Sequence, residues 1–372
     1  MTYRLKSDRD RRGNGLHNWS PARFALLAGL ALVLGGCASG TKPMTDESVI
    51  GAIMLAYQGD VPGASVLVIR DGKSVVRKAY GFANLEDHEL TTAATNFRLA
   101  SVTKQFTAAA ILLLAEDGRL SIDDRMRQWL PSLPAVTDPI TIRQLLSHTG
   151  GMIDYEDLMP VTQRTQLRDS DVLHLLEAQD HLYFAPGTHY RYSNGGYSML
   201  ALIVEKASGL RFEDFLKQRI FEPLGMRNTL AYVNGGPPVP HRAYGYSESA
   251  TGWARTDQST TSAVLGDGGI YSSIDDLDRW DAALYDDRLL SDASRKLAFT
   301  AWTTTDDANV SYGFGWRITG ESLWHSGESI GFRNVFVRYP QRHLSVIILS
   351  NRNGPEPYRM ALAIARLFLG ET

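Results

Sequence analysis

The chain has 372 residues, 44% of them hydrophobic and 21% charged, with a formal net charge of −3 at pH 7. That size and balance suit a globular body of one large or two interlocked domains, and the near-neutral charge gives no basis for nucleic acid as a partner. A single cysteine, Cys37, excludes an intramolecular disulfide, so the fold has to be stable without one.

Taken in chain order, the N-terminus comes first. Arg4, Lys6, Arg9, Arg11, Arg12 and Arg23 precede an apolar stretch over residues 24–34. That stretch is short for a bilayer span and suits the core of a signal peptide. It runs into Leu34-Gly35-Gly36-Cys37-Ala38-Ser39, which resembles the lipobox of bacterial lipoproteins. The resemblance implies that residues 1–36 are removed as a lipoprotein signal peptide and that Cys37 is lipidated as the new N-terminus. It also implies a lipid-anchored protein of the bacterial cell envelope, facing the periplasm. Ala38 after the cysteine resembles lipoproteins sorted to the outer membrane. A plain signal peptide cut after Ala38, or an uncleaved anchor, is the other reading. A lone cysteine without another use favours the first. Removal of residues 1–36 takes the formal charge from −3 to −7. Residues 37–46 then form a short polar tether.

The body, residues 47–372, opens with a helical pattern over residues 47–58. Two β-rich runs, residues 64–70 and 74–80, flank Asp71-Gly72 and predict a hairpin. Residues 312–318, 322–325, 332–339 and 344–350 read as strands, and residues 355–369 as a closing helix with proline near its first turn. The two ends of the chain, about 47–100 and 300–372, are thus expected to build one antiparallel sheet flanked by helices. The middle, about 105–300, reads as mostly helix and loop, with helical spacing at Leu173-Leu176, Phe212-Phe215-Leu216 and Leu277-Trp280-Leu284. No internal repeat, coiled coil or low-complexity tract is evident.

Three short segments carry chemistry. In Ser101-Val102-Thr103-Lys104 a hydroxyl and an amine three residues apart share one helical face. At a helix start the positive end of the dipole, together with burial, disfavours the ammonium form of Lys104. A neutral lysine can take the Ser101 proton and so activate a weak nucleophile. The second segment is Tyr192-Ser193-Asn194, before a helix-like run over residues 197–207. A tyrosine beside a cation can lose or relay a proton, and Asn194 offers donors and an acceptor to an amide substrate. The third is Trp324-His325-Ser326-Gly327-Glu328, read as a strand. Gly327 would let a substrate lie against it, and the Glu328 N–H could face an oxyanion. Each segment alone has a bland reading as a solvated helix face, a helix cap or a turn. Their order makes the combination specific.

Together they resemble the signature of the serine β-lactamase and penicillin-binding protein superfamily, Ser-x-x-Lys, then Ser-Asp-Asn, then Lys-Thr-Gly. Tyr-Ser-Asn in the second box is similar to the class C β-lactamase branch. His-Ser-Gly in the third is similar to the esterases, D-specific peptidases and D,D-carboxypeptidases related to it. The likeness spans roughly residues 46–370 and includes Leu145 to Gly151, Tyr312 to Trp316 and Gly266-Asp267-Gly268-Gly269, which lacks the Rossmann spacing and reads as a tight loop lining the cleft. It implies an α/β plus all-α fold of the β-lactamase/transpeptidase type, with a large helical insertion and the three segments meeting in one cleft.

It also implies a serine hydrolase that forms an acyl-enzyme on Ser101, with Lys104 or Tyr192 as base. The Ser101 and Glu328 N–H groups would hold the oxyanion, and Asn194 would orient the acyl amide. Histidine at 325 is shorter than lysine and mostly neutral at its ordinary pKa of about 6.5, which weakens attraction for a β-lactam carboxylate. Arg333 is the candidate replacement. The expected substrates are short esters or D-amino-acid peptides, peptidoglycan-derived ones among them, ahead of β-lactams. A slow penicillin-binding, wall-interacting lipoprotein and a transacylase using the same residues are the alternatives. No cofactor is implied. His174, His181 and His189 lack metal-ligand spacing, and no metal site is expected. His148 reads as a buttress of the fold. Trp253, Trp302, Trp316 and Trp324 read as packing residues.

Overall fold

The computed structural model describes residues 46–370. The expected signal peptide, Cys37 and the tether as far as residue 45 lie outside the described residues.

An eight-stranded antiparallel sheet runs, from one edge to the other, through Thr303–Thr304, Ser311–Tyr312, Arg317–Thr319, Ser322–Ser329, Phe332–Tyr339, Leu344–Ser350, Ala64–Arg70 and Lys73–Tyr80. The N-terminal hairpin turns at Asp71 and Gly72, both left-handed at φ 51 and 72. Ala64–Arg70 pairs on its other side with Leu344–Ser350, residue for residue from Ala64↔Ser350 to Arg70↔Leu344. The two ends of the chain therefore join into one sheet.

Strand periodicity sorts side chains onto two faces. On one face Val66, Val68, Val335, Val337, Val346 and Ile348 pack with Ile50 and Met54 of the Asp46–Ile53 helix and with Ala361 and Ile364 of the Pro357–Leu369 helix. On the other, Leu67, Ile69, Phe332, Phe336, Ile347 and Leu349 join the larger core built with the helical region. Because Leu323 belongs to that larger core, the alternation turns His325 and Gly327 the same way, toward the helices.

The helix Lys104–Glu116 is the spine of the helical region, buried from Lys104 through Leu114. Around it lie Asp169–Glu177, Asn194–Ser208, Phe212–Leu216 and Ile274–Ala283. Three local expectations differ from the structure. Residues 312–318 form two short strands rather than one, because the chain turns at Gly315 (φ 77), where a Cβ would stand 2.7 Å from the Lys104 carbonyl oxygen. The Gly266-Asp267-Gly268-Gly269 segment is mostly a turn of helix, Leu265–Gly268, rather than a loop. The middle of the chain also carries strands: Ile270–Ser272 pairs with Phe97–Arg98 and with Leu230–Ala231, and Tyr246–Ser249 pairs with Gly252–Arg255.

Candidate active site

Pieces distant in sequence hold the nucleophile turn. Phe97–Arg98 pairs with Ile270–Ser272, and the Leu99 N–H donates to the Ile270 carbonyl at 2.8 Å. Asn334, buried on the central sheet, donates from Nδ2 to the Arg98 carbonyl at 2.8 Å. Ala100 then takes a left-handed backbone, φ 49, uncommon for a residue with a Cβ. A 3₁₀ turn over Ala100–Thr103 carries Ser101 and leads into the helix that starts at Lys104.

The turn rests on the strand Ser322–Ser329. A Cβ on Gly327 would lie 2.0 Å from the Leu99 carbonyl oxygen, so only glycine lets the turn come this close. That space is filled by the protein itself, which corrects the expectation that Gly327 makes room for a substrate. Arg317–Thr319 pairs with this strand only as far as Trp324, so from His325 onward that edge has no strand partner among the described residues.

Lys104 is fully buried. Its ammonium donates to Ser101 Oγ at 3.1 Å, Asn194 Oδ1 at 2.8 Å and the Asp267 carbonyl oxygen at 2.9 Å. All three acceptors are uncharged. Burial lowers the lysine's pKa from 10.5 to about 8, against the pull of the Asp267, Glu156 and Asp154 carboxylates.

Those acids come from one short run and one helical turn. Asp154 Oδ2 accepts from the Gly195 N–H at 3.3 Å, Tyr155 donates its hydroxyl to Asp267 Oδ2 at 3.1 Å, and Glu156 Oε1 accepts from Asn194 Nδ2 at 3.1 Å. Three consecutive residues thus hold three different walls of the lysine's nest. Burial raises Asp267 to about 7, with Lys104 pulling the other way. Glu156 is pushed upward too, first by protein crowding its carboxylate in the cleft and then by Asp154 and Asp267, although part of its surface meets solvent.

Tyr192 reaches the same place, its ring centroid 4.8 Å from Lys104 Nζ. Burial raises its pKa well above 10, outweighing a hydrogen bond with Ser101 and the charge of Arg317. The expected stabilisation of a phenolate by a nearby cation therefore loses to desolvation, and the tyrosine stays protonated.

His325 is buried, its Nδ1 2.7 Å from the Ser326 carbonyl and its Nε2 2.9 Å from the Tyr312 hydroxyl. A neutral ring satisfies both contacts if Nδ1 donates and Nε2 accepts from the tyrosine. Burial, then Arg317 and Lys104, push its pKa well below 6.5, so the histidine carries no charge.

The remaining expected residues are placed as follows. Asn194 opens the helix Asn194–Ser208, and both ends of its amide are engaged, by Lys104 and by Glu156, rather than offered to a substrate amide. Glu328 and Arg333 stand opposite each other on neighbouring strands and form an ion pair. Arg333 is thereby engaged at the rim.

Sequence reasoning missed four contributors. Asp154 and Glu156 sit in an Asp-Tyr-Glu-Asp run that looks like the solvated start of a helix, and Asp267 lies among glycines. Arg317 directly follows the Tyr312 to Trp316 segment, and its guanidinium lies 5.6 Å from the Tyr192 ring and 5.4 Å from Trp324. A base placed immediately after that aromatic run was the available signal.

Comparisons with known proteins agree with this geometry. The profile of the family described as Beta-lactamase matches residues 42–371. Penicillin-binding protein 4* of Bacillus subtilis (strain 168) is 34% identical over 317 residues, 80% of this chain and 70% of that protein. Protein flp of Staphylococcus aureus (strain NCTC 8325 / PS 47) is 28% identical over 315 residues, again 80% of this chain but 61% of its own length. Among solved structures, the octameric penicillin-binding protein homologue from Pyrococcus abyssi superposes with a TM-score of 0.78 at 26% identity, covering 88% of this chain and 77% of that one. The chain belongs to the beta-lactamase family, and with it to the serine β-lactamase and penicillin-binding protein superfamily of acyl-transfer hydrolases.

Proposed function

We propose that the protein forms an acyl-enzyme on Ser101 and hydrolyses short esters or D-amino-acid peptides and amides in preference to β-lactams. The reading rests on one observation above the others. Among the described residues, the charged group bonded to Ser101 Oγ is a fully buried lysine whose pKa is lowered to about 8. At pH 7 about a tenth of that lysine is free base, far more than at its ordinary pKa of 10.5, and free base is what general-base catalysis needs.

In the first step neutral Lys104 takes the Ser101 proton as Oγ attacks the substrate carbonyl. The N–H groups of Ser101 and Glu328 face the developing oxyanion. Collapse expels the alcohol or amine, which takes a proton from the Tyr192 hydroxyl while Lys104 returns one to the tyrosine. In the second step water attacks the ester on Ser101, its proton passing through Tyr192 to Lys104, and collapse releases the acid as Ser101 Oγ takes a proton back from Lys104. A phenol whose pKa burial pushes well above 10 serves as a relay in this scheme and never as a standing phenolate.

Substrate preference follows from charge. His325 is neutral, and Arg333 is paired with Glu328. A β-lactam carboxylate finds no lysine in the third box to draw it in. The test is a panel of p-nitrophenyl esters, D-Ala-D-Ala peptides and nitrocefin, with Ser101→Ala as the control. We expect kcat/KM to be highest for the esters or peptides and all turnover to vanish in the control. A higher kcat/KM for nitrocefin overturns the preference, and turnover that survives Ser101→Ala overturns the nucleophile.

We also propose lipidation at Cys37 and a periplasm-facing envelope location, supported by the sequence pattern at residues 34–39. Metabolic labelling with palmitate, lost in Cys37→Ala, is the expected result; equal labelling of both proteins sinks the idea.

A further inference from the structure

We propose that His148 is a positioning residue that holds Tyr192 against Ser101, a role that rests on the reading of Tyr192 as the proton relay. The histidine grips the tyrosine's segment on both sides. Its backbone carbonyl accepts from the Arg191 N–H at 2.9 Å, and its ring Nδ1 accepts from the Ser193 N–H at 3.1 Å. Tyr192 is the residue between them. The imidazole also packs on the phenol ring, with centroids 4.4 Å apart and planes 41° to each other.

The same residue makes both bonds from a left-handed backbone, φ 59, a conformation that His, Asn and Asp tolerate better than most. On another side the ring meets Tyr312 at 4.5 Å, and Tyr312 in turn is hydrogen-bonded to His325. The grip on the tyrosine segment is thus braced against the strand that carries His325.

The protonation state follows from the contacts. Nδ1 has to be bare to accept from Ser193, so the neutral ring carries its proton on Nε2. The histidine is buried, and burial, Lys104, His325 and Arg317 all push its pKa well below 6.5. Nε2 has no hydrogen-bond partner among the described residues. A buried N–H left unpaired is costly, and an apolar ring would fill the same space without that cost. Packing alone therefore does not account for an imidazole at this place; the Nδ1 bond to the tyrosine segment does.

The test is a mutant cycle with Tyr192→Phe. His148→Leu keeps apolar bulk and removes the acceptor. We expect it to lower kcat for ester hydrolysis about 30-fold with KM changed less than about threefold. In the Tyr192→Phe background the same change is expected to cost less than about threefold, because the group it positions is already gone. His148→Asn places an amide oxygen near the Nδ1 position and tolerates the backbone, so it is expected to keep kcat within about fivefold. If the leucine variant does not fold, His148→Gln replaces it, since its longer amide misses the Nδ1 position; the same losses are expected. Equal costs in both backgrounds, or an asparagine variant as poor as the leucine or glutamine one, overturn the role of His148. Hydrolysis that survives Ser101→Ala, or is unchanged in Tyr192→Phe, instead overturns the reading of the site on which it rests.

Discussion

Lys104 and Arg338 are both cations with no exposed surface, and both lie between the sheet and the helical region, yet their surroundings differ in kind. Arg338, on the strand Phe332–Tyr339, forms an ion pair with Asp281 at 3.3 Å. That carboxylate also accepts from the Ser345 hydroxyl at 2.7 Å, and the Tyr285 ring lies 4.5 Å from the guanidinium. The arginine charge is answered by a direct counter-charge. Lys104 donates hydrogen bonds to a hydroxyl, an amide oxygen and a carbonyl, while its carboxylates stand one contact further out. A cation held this way is solvated by dipoles but not neutralised, so its proton is easily given up. The first arrangement is built to stay charged, the second to change charge.

The sharpest way to break the comparison is to remove each charge. Lys104→Met should lower kcat/KM for esters by roughly 10³-fold or more, the scale of losing a general base. It should also stabilise the protein. The fall of the lysine's pKa from 10.5 to about 8 corresponds to a cost of ~3 kcal/mol at pH 7, where both folded and unfolded chains carry the proton. The folded form releases its proton first as pH rises. The cost is therefore full below pH 8, shrinks between about 8 and 10.5, and is gone above that. Denaturant melts of the two proteins at pH 7 and pH 10.5 should show the methionine variant's relative advantage shrinking by that amount; a constant difference would remove the poised lysine from the argument. For the same reason kcat/KM of the unaltered protein should climb with pH, reach half its limit near 8 and level off above about 9.

Asp281→Asn tests the other cation. It leaves Arg338 buried without its counter-charge and should cost about 3–5 kcal/mol of stability, read as a drop in Tm. Activity per folded molecule should stay within about twofold, since neither residue touches the site. Replacing both, as Arg338→Met with Asp281→Leu, should recover most of the loss. A double variant as unstable as the single one would contradict the pairing argument.

Tyr192→Phe comes next in size. Loss of the relay hydroxyl should reduce kcat about 10²-fold while moving Tm little. A stopped assay that finds full turnover would leave Lys104 acting alone. The smallest effect is expected at the rim. Arg333→Gln breaks an ion pair that solvent reaches, so Tm should shift by less than the equivalent of about 1 kcal/mol, and less again in high salt.

How much of this was readable beforehand depends on the range of the interactions. Ser101 and Lys104 are three residues apart, so their meeting is a property of one helical turn. The Asp71-Gly72 hairpin and the strands at 332–339 and 344–350 are likewise local patterns, and the structure reproduces their bounds closely. Asn194 was legible as a site residue but not in its orientation, because its partners Lys104 and Glu156 lie far away along the chain. Gly327 was noticed for the wrong neighbour: the group pressed against it is the Leu99 carbonyl. His148 looked like a buttress because nothing local says that its ring faces the Ser193 N–H. Burial was the other blind spot. The sequence places a phenol near an amine; only the packed structure reveals that desolvation, rather than the amine, sets the phenol's acidity.

The pairing of Ala64–Arg70 with Leu344–Ser350, and of Asn334 with the Arg98 carbonyl, has a consequence in time. A chain still emerging from the ribosome has made Ser101 and Lys104 but lacks the last three long strands that seat their turn. Contacts of such sequence separation form late and slowly. A half-made polypeptide therefore carries the nucleophile's sequence without its reactivity, and activity arrives only once the strand Leu344–Ser350 has been made.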